Sequence, residues 1–177
     1  MLALSPGILI IPIFSLVIVG ILYIYFYTKV TDKSNYKRMI LTIALIGFVL
    51  NLIWELAHGP LYKDFKYDLS HISLCVLSSI TDMLTLLLLF FVFSLVFKNV
   101  YWIKQLSFFN TLLLMLVGGI SATFVEIWHI NRGDWLYSES MPLTPILKAG
   151  VSPVLQFTIL PLVIFIISKN LILKTGK

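Results

Sequence analysis

The chain is 177 residues long, 59% hydrophobic and only 12% charged, with a formal net charge of +5 and a mean hydropathy of +1.00. Water-soluble domains run at roughly 45–50% apolar and about 25% charged, so a soluble fold is excluded for most of this chain and the solvent around it is lipid. The positive charge does not point to nucleic acid, because Lys and Arg sit in short clusters between apolar runs, as in loops that meet anionic headgroups.

Five apolar runs have the roughly 20 residues needed to cross a bilayer. The first covers residues 7–28. It has no basic leader, is too long for the apolar stretch of a secretory signal and ends without a small-residue cleavage site, so it is expected to remain as a span. The second covers 39–58 and stops at Gly59-Pro60, a helix-ending pair. The third covers 70–97, the fourth 106–130 and the fifth 146–168, with Pro153 and Pro161 inside the last. The expected fold is all-α: one multi-pass transmembrane domain over 1–177, a bundle of about five helices.

Lys29, Lys33, Lys37, Arg38, Lys98, Lys104, Lys169, Lys174 and Lys177 fall on one side of these spans. The other side has Lys63, Lys66, Arg132 and Lys148. The positive-inside rule then puts the N-terminus outside and the C-terminus in the cytoplasm of a bacterial plasma (inner) membrane. The longest loop, 131–145, is extracytoplasmic on this reading. Its Trp135 and Tyr137 suit the headgroup level, and its length suits a lid. A lone cysteine, Cys75, excludes an internal disulfide framework and reads as a packing residue.

Glu55, His58, His71, Asp82, Glu126 and His129 lie in or at the ends of spans two to four, where an ionisable group is costly unless paired or facing a cavity. Asn51, Glu55 and His58 recur at helical spacing, as do His71, Cys75, Ser78 and Asp82, then Gly118, Ala122, Glu126 and His129, then Ser152 and Gln156. Four helices therefore carry polar stripes that are expected to face inward, and the first does not. Two Glu-x-x-His pairs, Glu55–His58 and Glu126–His129, each project two side chains to one side of a helix. Such pairs build carboxylate metal sites in bundles, so these four are candidate ligands for a divalent Zn, Fe or Mn. At 1.5 Å per residue Asp82 is expected roughly 16 Å below His71, apart from the rest. The plain alternative is that the Glu–His pairs only lock helices together.

Trp54-Glu55…Pro60-Leu61-Tyr62, Asp82, Trp135-x-Tyr137-Ser138-x-x-Met141-Pro142 and Ser152-Pro153-x-x-Gln156 together resemble the pattern of a family of small, uncharacterised bacterial inner-membrane proteins. The match touches spans two to five. The resemblance implies no activity, substrate or cofactor.

The first functional expectation is a membrane-embedded enzyme for a lipid-soluble or membrane-proximal small molecule. Glu55, Glu126, His71 and Asp82 are the candidate catalytic groups, and Arg132, Trp135, Tyr137 and Gln156 the candidate substrate contacts. The metal set or a metal-free acid–base cluster would serve it. The alternatives are a small proton-coupled transporter that uses Asp82 and a structural or assembly subunit.

Overall fold

The computed structural model describes residues 10–174. Residues 7–9 of the expected first span and Lys177 of the basic C-terminal group lie outside them. Five α-helices make up most of the described chain: α1 (Ile10–Lys29), α2 (Lys33–His58), α3 (Leu69–Val96), α4 (Phe108–Arg132) and α5 (Val151–Lys174). Each is long and apolar enough to cross a membrane. Among the described residues there are no strands, only two isolated bridges between loop residues.

Capping chemistry, more than hydropathy, decides where the helices begin and end. Asp32, Asp68 and Ser107 each accept a hydrogen bond from the N–H three residues on, at 2.9, 2.9 and 3.1 Å. Each bond satisfies one orphan donor at the start of α2, α3 or α4. That is why α2 begins at Lys33, well before the apolar run at residue 39. Past the far end of α4, Gly133 takes φ +72°. Its N–H reaches the Ile130 carbonyl, and the Asp134 N–H reaches that of His129. This is a Schellman turn, and it folds the chain back over the helix.

The fifth helix starts later than its apolar run. Residues 146–150 belong to the preceding loop, so Pro153 stands in the first turn, where no N–H is needed, and Pro161 alone interrupts the interior of α5.

α2 packs against both α3 and α5, while α1 lies chiefly on α3 and α4 on α5. The half of the bundle toward residues 30–32 and 97–107 is apolar. There Trp102 packs among Phe90, Phe93, Phe97 and Phe165. At the rim of that half, Lys29, Lys33, Lys37 and Lys104 lie over tyrosine rings, stems in the apolar layer and heads toward water. The polar residues occupy the other half, where α2 and α4 end and α3 and α5 begin.

α4 and α5 pack closely at Gly118 and Gly119. A Cβ on Gly118 would collide with the Phe157 carbonyl oxygen, and one on Gly119 would stand 2.6 Å from Thr158 Oγ1. Pro161 has no N–H to give that Phe157 carbonyl, so the freed oxygen rests against the glycine backbone instead. Gly118→Val is expected to cost about 1–3 kcal/mol by forcing the two backbones apart. Thermal unfolding in detergent should show a lowered midpoint for Gly118→Val, and no loss for Gly20→Ala, where the added carbon meets nothing within 4 Å.

Candidate functional site

His58 is the last residue of α2, just before a 3-10 turn at Gly59–Leu61. Its Nε2 lies 3.3 Å from Glu55 Oε1, one turn back on the same helix. Its Nδ1 lies 2.9 Å from Ser152 Oγ in the first turn of α5. The ring is 7% exposed, so both nitrogens are accounted for by protein partners. Which nitrogen carries the proton follows from those partners.

Glu55 also joins a second group. Gln156 Nε2, on α5, lies 3.0 Å from Asn51 Oδ1, 2.9 Å from Asp82 Oδ2 and 3.3 Å from Glu55 Oε1. Asn51 Nδ2 donates to the Gly47 carbonyl at 2.8 Å, which turns the Asn51 oxygen toward Gln156 and so turns the Gln156 nitrogen toward all three acceptors. An amide nitrogen has two hydrogens, so three acceptors oversubscribe it.

Asp82 therefore belongs with Glu55, contrary to the expectation that it lies apart. Cys75 Sγ stands 3.9 Å from the Glu55 carbonyl, which puts those two residues level and Asp82 about 10 Å deeper by helical rise. Side chains lean toward the N-terminus of their helix. Glu55, on a helix that runs toward the loops, leans inward. Asp82 and Gln156, on helices that run away from the loops, lean outward. The three meet in between.

Glu126, 4% exposed, is held differently. Trp135 Nε1 donates to its Oε1 at 2.9 Å, the Tyr137 hydroxyl at 2.7 Å and the Tyr62 hydroxyl at 3.4 Å. Three neutral donors thus converge on one carboxyl oxygen and fix its position. Tyr137 oxygen also accepts from the Gly150 N–H at 2.7 Å, tying the start of α5 to the same group. The loops themselves are joined: Lys63 N–H to the Leu136 carbonyl and Ser138 N–H to the Leu61 carbonyl, both at 2.9 Å. Burial and then the neighbouring Glu126 carboxyl push the Tyr62 phenol well above its ordinary range. Burial and its hydrogen bond to Glu126 do the same to Tyr137.

Glu126 and His129 do not act as a pair. The Schellman turn brings Asp134 back to His129 Nδ1 at 2.7 Å, and Trp135 stacks on the ring at 4.1 Å between centroids. Arg132, expected as a substrate contact, is engaged with Asp134 at 3.3 Å and lies over Trp128. His71 is in the first turn of α3. Its ring lies 2.8 Å from Asp68 and packs against Phe65, away from the cluster. Hydrogen bonds from the His71 backbone and ring hold the Asp68 carboxyl below its usual range.

The four expected metal ligands thus split into one contacting pair and two residues with separate partners. Among the described residues no three His, Cys, Asp or Glu side chains gather as a ligand set. Tyr62 links the two assemblies, its ring edge-on to His58 at 5.4 Å and its hydroxyl on Glu126.

The candidate set drawn from sequence omitted Ser152, Tyr62 and Asp134. Ser152 was signalled by its helical spacing to Gln156, and Asp134 by the glycine before it. No family model, curated protein or solved structure matches the chain.

Because the folded state keeps the Tyr62 and Tyr137 protons where an unfolded chain releases them near pH 10, folding stability should be full below that pH and fall as pH rises beyond it. Tyr137→Phe is expected to flatten that fall. It should also cost about 1.5–3 kcal/mol at neutral pH, because it leaves Glu126 and the Gly150 N–H each short of a partner. Unfolding midpoints measured from pH 7 to 11 check both.

Proposed function

We propose that this chain is a membrane-embedded enzyme acting on a lipid-soluble or membrane-proximal small molecule, with His58 as its proton-transfer group. The seating of His58 carries this reading: a carboxylate on one ring nitrogen, a hydroxyl on the other, and almost no exposure to compete with either. A carboxylate behind an imidazole orients it and supports its positive charge, which is what a general base requires. Glu126, ringed by neutral donors, fixes a second carboxyl group at this end, and Tyr62 bridges it to His58. The loop 133–150 covers this end through Trp135 and Tyr137, which supports exclusion of water from the reacting group. A divalent metal bridging the two Glu-x-x-His pairs has no part in the mechanism, since Glu126 and His129 face different partners.

The site end faces the outside of a bacterial plasma membrane on this reading, supported by the excess of Lys and Arg at the opposite end.

The test is turnover of lipid-soluble compounds. Vesicles made from a total bacterial lipid extract, with and without reconstituted protein, are compared by untargeted mass spectrometry. Wild type is expected to convert at least one component, with Glu55→Gln slower and His58→Ala inactive. Identical profiles for wild type and His58→Ala would sink the proposal.

A second reading, proton-coupled transport, is favoured by the Glu55–Gln156–Asp82 bridge, an acid pair in the membrane span of the kind used in proton relays. It requires proteoliposomes to dissipate a pH gradient with wild type and to stop with Asp82→Asn. Equal flux counts against it.

A further inference from the structure

Resting on His58 as the proton-transfer group, we propose that Ser152 is a nucleophile that accepts the acyl group of a membrane-lipid ester. Nucleophile, base and acid stand in order across two packed helices: Ser152 Oγ 2.9 Å from His58, and His58 3.3 Å from Glu55. A nucleophile and base in contact, with the base oriented by a third group, is the arrangement that activates a hydroxyl.

The Ser152 hydroxyl is uncommitted in a way that other serines here are not. Ser73, Ser79 and Ser94 each donate to the carbonyl four residues back, at 2.7, 2.6 and 2.8 Å. Ser152 is the second residue of α5, so its hydroxyl turns to His58 instead.

The backbone around Ser152 supplies the remaining part. The Gly150 N–H is taken by Tyr137 and the Val151 N–H by the Pro142 carbonyl, while Pro153 has none. Among the described residues no acceptor is recorded for the Ser152 N–H itself. A free N–H on the nucleophile, at the positive end of a 24-residue helix, can hold the oxyanion that forms on the attacked carbonyl.

Position selects the substrate class. Ser152 lies at the start of an apolar span, Val151–Ile172, at the boundary between headgroup and hydrocarbon where lipid ester carbonyls reside. Just before it, Leu143, Ile146 and Leu147 are 42%, 89% and 55% exposed. They form an apolar rim on which acyl chains can lie.

In the reaction, a bond forms from Ser152 Oγ to the ester carbonyl carbon as the hydroxyl proton passes to His58 Nδ1. The carbonyl–alkoxy bond then breaks, and the alcohol leaves with that proton, giving an acyl-serine. Water, or an alcohol or amine acceptor, attacks next and gives its proton to His58. The acyl group departs with it and Ser152 recovers its hydrogen.

A fluorescent fluorophosphonate tests this on the full chain in detergent: Ser152 should displace fluoride and become labelled at pH 8. Ser152→Ala should be unlabelled, and His58→Ala labelled at least tenfold more slowly. If Ser152→Ala does not fold, Ser152→Cys, which keeps the size and contact, should likewise remain unlabelled. Unlabelled wild type, or labelling that survives at Ser152→Ala or Ser152→Cys, overturns the nucleophile. If His58-dependent lipid turnover persists with Ser152 replaced, the nucleophile falls and the acid–base reading stands. If wild type is neither labelled nor converts any lipid, both fall.

Discussion

Inside a bilayer a polar side chain has no water to fall back on, and the amide of Gln156 meets that constraint for three helices at once. It is 2% exposed and reaches oxygens on α2 and α3 from its own place on α5. Without it the Asn51 and Asp82 oxygens would lose the partner on α5, and a buried polar group left unpaired costs several kcal/mol in hydrocarbon. The arrangement fixes the rotation of α2, α3 and α5 about their axes. With α2 so turned, His58 faces the first turn of α5, and Ser152 comes within hydrogen-bond reach.

Much of the fold could be read from the chain. Composition and run length imply five spans, and five helices of that kind are present among the described residues. The ends were less legible, because capping residues such as Asp32 and Ser107 extend or start helices independently of hydropathy. The apolar residues Ile146 and Leu147 looked like the beginning of a span, yet they are exposed loop residues ahead of Val151.

The site was legible in its stripes and not in its pairings. Asn51, Glu55 and His58 do share a face, and α5 meets it, Gln156 at Asn51 and Glu55 and Ser152 at His58. The repeated Glu-x-x-His spacing misled because spacing tells which side of a helix a residue occupies, whereas its partner depends on what lies opposite. For Glu126 and His129 that was a returning loop, aimed by the left-handed Gly133. The depth of Asp82 misled for a related reason: rise along the axis ignores the lean of side chains, which acts in opposite senses on antiparallel helices.

The place of Gln156 near the C-terminal end also bears on how the chain is made. A ribosome delivers α2 and α3 to the membrane before α5 exists, so Glu55 and Asp82 enter it with the α2 residues Asn51 and His58 but without the Gln156 amide. α5, which emerges after them, brings the amide that completes their hydrogen bonding, and with it the seam against α4. Insertion of α5 is therefore the step that joins the two acids, and a nascent chain halted before residue 151 would hold both without the Gln156 amide between them.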